Sequence, residues 1–250
     1  MNIKKTLILP AIIFVAYISL GNVFAKEIKF SSPESRVSLI ELYTSEGCSS
    51  CPPADKWLSK FQNSNLLWQK LVPVAFHVDY WDYLGWKDKF ADKRFALRQY
   101  RYQKMKYVSA VYTPGVMKNG REWRGWRWWQ SAEPNENEKP GVISAKLNNQ
   151  ILAVSFESLQ EPVSPYILNI ALLGIDITSS VRSGENSGEI FEHDFVVLDF
   201  DEYPQTEKTQ FTWNITNPLK PKNQNIRAIA IWISQHNDPT PIQATGTWLN

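Results

Sequence analysis

Two cysteines occur in the chain, Cys48 and Cys51, separated by Ser49-Ser50 and followed at once by Pro52-Pro53. A disulfide across two residues closes almost no loop and restricts the unfolded chain little, so stapling is a poor reason to place it there. Reversible redox exchange and metal binding are better reasons. A pair placed between a strand and a helix start has physical logic for exchange. The positive end of the helix favours a thiolate, the first cysteine attacks, and the second resolves the mixed disulfide. Cys48 is therefore the expected nucleophile, facing solvent among unpaired helix N–H groups, and Cys51 the resolving thiol. A permanent, inert disulfide is the competing reading.

The surrounding pattern supplies the strand and the helix. Arg36–Tyr43 is mostly apolar and reads as a strand that ends in Thr44-Ser45-Glu46-Gly47. Proline suits the first helical positions, and Trp57, Leu58 and Phe61 recur at helical spacing. Leu71–Val78 is a second strand, Asp92–Tyr107 a partly exposed helix, and Gly115–Lys118 a third strand. Asn119-Gly120 is a hairpin signal that returns the chain along Arg121–Trp126. This order is an α/β pattern. Ser131–Gly141 is polar and proline-bounded and reads as a linker. Beyond it, Val142–Leu147, Ile151–Phe156, Tyr166–Leu173, Phe195–Phe200, Gln210–Ile215 and Ile226–Ser234 are short β-type runs, the pattern of an antiparallel sandwich.

The N-terminus reads as an export signal. Lys4 and Lys5 precede an apolar run from Thr6 to Leu20, and Val23-Phe24-Ala25 presents small residues at the cleavage positions. Cleavage after Ala25 is expected, because the run is shorter than the ~20 residues a bilayer requires. The expected organisation is a signal at 1–25, an α/β domain at 26–130, a linker at 131–141 and a β-sandwich-like domain at 142–250. The mature chain would be secreted or periplasmic, with no stable membrane insertion. Loss of residues 1–25 removes two lysines and leaves 25 basic and 25 acidic residues. Such a balance does not call for nucleic acid or an anionic surface as a partner.

The runs Glu41–Asp55, His77–Trp86, Arg98-Gln99 and Val111–Pro114, and more weakly Arg182–Gly188, resemble the exported, thioredoxin-like domain of unknown function 1223 family. The resemblance implies a thioredoxin-like fold for the first half. It also implies a cis-proline, Pro114, facing the cysteine pair, with Thr113 before it offering its backbone to an extended substrate.

Asp79, His77 and Asp82 follow the second strand. Asp79 is a candidate proton acceptor for Cys51, provided burial raises its pKa; the bland reading of this run is loop capping and packing. Asp55 reads as a helix-stabilising charge in a first turn. Trp123, Trp126, Trp128 and Trp129, interleaved with Arg121, Arg124 and Arg127, read as packing, with stacking on a ligand as the alternative. Gly184-Glu185-Asn186 reads as a tight turn, or as a segment reaching the cysteines.

Thiol–disulfide exchange with a protein or small-molecule thiol, needing no organic cofactor, is the leading function. A binding or interaction protein on the same scaffold, with a fixed disulfide, stands beside it. Copper handling is a third reading, with Cu(I) held by Cys48, Cys51 and His77 or Met117. Structural zinc would need four N/S donors, and the chain offers the two cysteines with His77, His193 and His236.

Overall fold

Fully buried strands announce themselves as unbroken apolar runs, whereas half-exposed strands alternate. Both kinds occur here. The structure, a computed structural model, describes residues 27–128, 132, 137–148, 151–160, 164–205, 212–216, 218 and 226–249. The expected signal segment and its cleavage site lie outside the described residues. Among those described, no helix is long and apolar enough to cross a membrane.

In chain order the elements are β1 (Ile28–Ser31), β2 (Ser38–Thr44), α1 (Pro52–Ser59), β3 (Leu71–His77), α2 (Lys93–Lys104), β4 (Gly115–Lys118) and β5 (Arg121–Glu122). Then come β6 (Gly141–Asn148), β7 (Ile151–Ser158), β8 (Tyr166–Gly174), β9 (Ile177–Ser180) and β10 (Ile190–His193). The chain ends with β11 (Val196–Pro204), β12 (Thr212–Thr216), β13 (Ile226–Gln235) and β14 (Asp238–Trp248). The return along Arg121–Trp126 is shorter than expected. β5 stops at Glu122 and a 3-10 turn takes up Gly125–Trp128.

The expected fold class, a thioredoxin-like α/β domain followed by an all-β sandwich-like domain, is corrected by the sheet topology. Strand dominates throughout, with two α-helices among the described residues. The first-half strands do not form a sheet of their own. They continue into an eight-stranded sheet of order β14-β13-β8-β11-β3-β2-β4-β5. The seam is parallel: Val196 of β11 lies opposite Ala75 of β3, and the Ala75 N–H donates to Phe195 O at 2.8 Å. Pro73 is tolerated in this central strand for a geometric reason. Alternate residues face the same neighbour, so its missing donor would point to the β11 side, beyond the single paired position.

The sandwich expectation survives in part. A four-stranded sheet, β1-β6-β7-β12, packs Ile143, Leu152, Val154 and Phe156 against Leu168, Ile170, Ile229 and Ile231 of the large sheet. Alternation sends Ala171, Ala228, Ala230 and Trp232 to the opposite face, into the main core. Of the segment expected to link two domains, Ala132 is buried and Glu138 pairs with Arg36. Residues 131 and 133–136 lie outside the described residues.

The helices cover opposite faces of β2. Thr44 bonds Asp55 of α1, whereas Glu41, three residues earlier and so on the other face, meets Arg98 of α2. Arg98 is fully buried. Its Nε donates to Glu41 Oε2 at 2.7 Å and its Nη2 to Glu41 Oε1 at 3.2 Å and Pro239 O at 3.3 Å. Tyr43 and Tyr102 donate their hydroxyls to the same carboxylate, and the guanidinium lies over Phe76, Phe200 and Trp232.

Removing one partner of such a pair strands the other charge in the core. Arg98→Met and Glu41→Leu are each expected to cost about 3–5 kcal/mol in urea unfolding, and the double variant clearly less than the sum. Additive losses would show that the pair is not coupled.

Candidate functional site

The cysteines occupy the turn between β2 and α1. Gly47 N–H donates to Ser45 Oγ, Cys48 N–H to Ser45 O and Cys51 N–H to Cys48 O. The two sulfurs are joined as a disulfide, with the Cα atoms 5.5 Å apart. Cys51 is the N-cap of α1 and makes no side-chain cap.

Two expectations about Cys48 are not met. It is buried, at 1% exposure, and Cys51 at 0%, although Ser49 and Ser50 between them are exposed. The helix start also offers no free N–H for a thiolate. Pro52 and Pro53 carry none, and the Ala54 N–H bonds Cys51 O at 2.9 Å. The helix dipole and the Ser50 hydroxyl, 3.5 Å from Cys48 Sγ, remain as local stabilisers.

The cover over the pair comes from the segment between β9 and β10. Glu185 Oε2 accepts from Ser49 N–H at 3.4 Å, and Asn186 Nδ2 donates to Glu46 O at 2.8 Å. Gly184-Glu185-Asn186 is thus both of the things the sequence allowed. It is a turn, with Ser187 N–H bonded to Gly184 O, and it reaches the cysteine loop. Gly184 sits at φ +79°, where a Cβ would lie 3.2 Å from Trp86 Cβ. Trp81 lies against the same loop at Gly47. A Cβ on Gly47 would approach Trp81 Cβ to 3.1 Å, and the Trp81 indole donates to Thr113 Oγ1 at 2.7 Å. The Thr113-Pro114 bond is cis, Pro114 is buried, and Gly115 pairs with Tyr43. Trp123 and Trp126 pack on Trp57, and Trp128 is exposed.

Behind the disulfide lies a buried polar cluster that the sequence did not announce. Glu46 Oε2 accepts from Trp86 Nε1 at 2.7 Å, and its Oε1 lies 3.3 Å from His193 Nε2. Asp88 Oδ2 lies 2.7 Å from His77 Nδ1 and accepts the Glu46 N–H. Thr44 Oγ1 donates to Asp55 Oδ2 at 2.9 Å. Burial raises the Asp55 carboxyl above its ordinary value, and the two histidines only partly offset it. Burial works against charge on His77 and Asp88, yet each favours the other's charged form, so that His77 is raised and Asp88 lowered from the ordinary value. Burial likewise opposes charge on Glu46, but the hydrogen bonds from His193, Ser179 and Trp86 leave its pKa lowered.

Asp79, the expected proton acceptor, sits half-buried in the loop after β3. The carboxylates brought around the histidines are instead Glu46, Asp55 and Asp88. Asp82 only accepts the Asp88 N–H. Of the residues named for Cu(I), the two sulfurs are bonded to each other, His77 pairs with Asp88, and Met117 is buried within β4.

Because the Asn186 side chain holds the cover onto Glu46, Asn186→Ala is expected to cost about 1–2 kcal/mol and to speed reduction of the disulfide by dithiothreitol. Unchanged reduction kinetics in the folded variant would show that this segment does not guard the pair.

Two solved structures share the fold. A crystal structure of an Agrobacterium tumefaciens protein is 24% identical, with a TM-score of 0.67 over 87% of this chain and 96% of that one. HBP35 of Porphyromonas gingivalis is 10% identical, with a TM-score of 0.54 over 86% of this chain and 76% of that one. No curated protein matches the chain. The profile of the DUF1223 proteins, described as of unknown function, matches residues 39–234, and the chain belongs to that family.

Proposed function

We propose that Cys48 and Cys51 form a reversible dithiol/disulfide couple that exchanges with a protein or small-molecule thiol or disulfide outside the cytoplasm. The observation that carries this reading is the place of the disulfide. It bridges two exposed serines at the start of α1, where it closes too short a loop to contribute more than about 2 kcal/mol to stability. In the reducing direction, Cys48 thiolate attacks a substrate disulfide and one substrate thiolate leaves. Cys51 thiolate then attacks Cys48 Sγ, the protein disulfide closes, and the second substrate thiolate is released. Two electrons pass to the substrate, and the reverse sequence oxidises a dithiol.

Burial of Cys48 makes access conditional on opening of the Gly184–Asn186 cover, a local event well within the range of native fluctuations. The same burial favours a second reading, in which the disulfide stays closed and the protein acts by binding alone.

Trapping separates the two. With a model disulfide as probe, Cys51→Ser is expected to accumulate a mixed disulfide at Cys48, while Cys48→Ser forms none and loses exchange altogether. A folded wild type whose disulfide is reduced only under denaturing conditions, and a Cys51→Ser variant that traps nothing, would leave the binding reading in its place.

A further inference from the structure

Three side chains of the buried cluster carry an arrangement that disulfide exchange does not use. Asp55, His77 and His193 each present a ligand atom, and the three atoms lie within 4.8 Å of one another. His77 and His193 are buried, their side chains 0% and 5% exposed. Each has one ring nitrogen bound to a carboxylate: His77 Nδ1 to Asp88 at 2.7 Å and His193 Nε2 to Glu46 at 3.3 Å. The other nitrogens, His77 Nε2 and His193 Nδ1, are buried with no hydrogen-bond partner. A buried ring nitrogen without a partner is costly, and here two converge beside a carboxylate.

We propose that Asp55, His77 and His193 bind a divalent first-row transition metal of the zinc class, independently of the thiol chemistry of the neighbouring disulfide. The chemistry of the donors matches the ion. Two imidazoles and one carboxylate suit a borderline cation. The outer partners are of the kind such sites use, since a carboxylate on the far nitrogen fixes the tautomer and aims the lone pair at the metal. Asp55 is oriented in the same way, its Oδ2 held by the Thr44 hydroxyl. Bonds of about 2.0–2.1 Å place tetrahedral ligands roughly 3.3 Å apart, so the side chains need to close by up to about 1.5 Å on loading.

The site has a route to solvent and room for a further ligand. Asp55 and His193 line a cavity of about 530 Å³, together with Glu46, Ser49 and Asn186. Three protein ligands with one side open is the pattern of a zinc site that takes up water or a substrate, whereas a structural site is closed by four. Phe90 packs against both imidazoles and forms the apolar wall.

The test is titration of chelator-stripped full chain, disulfide oxidised, with Zn²⁺ alone by isothermal calorimetry. One equivalent is expected to bind. His193→Gln and Asp55→Asn, each checked as folded by near-ultraviolet circular dichroism, are expected to weaken binding at least 100-fold. Asp88→Asn, which neutralises the outer partner of His77 and leaves a single oxygen for the Glu46 and Phe90 N–H groups, should weaken it about 10–100-fold in a protein checked as folded in the same way. Absence of saturable binding in the wild type, or unchanged affinity in a folded His193→Gln protein, would overturn the proposal. Co²⁺ added to the chain after reduction of the disulfide with a phosphine provides a check that needs no variant. Ligand-field bands without thiolate charge transfer are expected, and a thiolate band would move the metal to the cysteines and overturn the assignment.

Discussion

The parallel contact between β3 and β11 is the constraint on which the rest of the structure depends. One backbone bond, from Ala75 N–H to Phe195 O, marks where the strands of the second half enter the sheet of the first. Because β10 ends at His193, only two residues before Phe195, the seam carries that imidazole to His77 at the end of β3, with ring centroids 5.1 Å apart. Glu46, just beyond β2, then finds His193, and the segment between β9 and β10 folds over the cysteine turn. The cover over the disulfide and the completion of the buried polar cluster by His193 both follow from one alignment of strands.

That alignment needs support on both faces. Arg98 supplies it on one, tying α2 to β2 through Glu41 and to β14 through Pro239 O. A charge without solvent exposure is tolerated because four hydrogen bonds, to Glu41 twice, Tyr102 and Pro239, and four aromatic rings surround it. On the other face, α1 brings Asp55 up to Thr44 and so places a carboxylate beside the histidines. The element that opens with the disulfide therefore also delivers a side chain to the polar cluster.

Much of this was legible locally. The strand, cysteine pair and helix order follow from apolar runs and from Pro52-Pro53, and the Asn119-Gly120 pair marks its turn. β6 and β7 are written in alternation, β8 and β13 as nearly unbroken apolar runs. What the sequence could not show is which strands become neighbours, since period and propensity carry no information on pairing at long range. The expectation of a thioredoxin-like sheet confined to the first half failed for that reason. β14 was missed because Pro239 and Pro241 argue against a strand; as the sheet's edge it can spare those donors. Asp55 read as a helix charge and Asp79 as the proton acceptor because nothing local says that His193, over a hundred residues on, completes the cluster. The two prolines suit the first positions of α1, where a missing N–H costs the helix nothing, but the same absence leaves a thiolate there without those donors.

The most direct measurement of the central claim is the equilibrium reduction potential of Cys48–Cys51 in the folded wild type, set against a glutathione series. A couple that cycles is expected to fall between about −270 and −120 mV, the span of known exchange proteins. A value below about −300 mV, where structural disulfides resist the glutathione pool, would contradict the account and leave the pair as a fixed bridge.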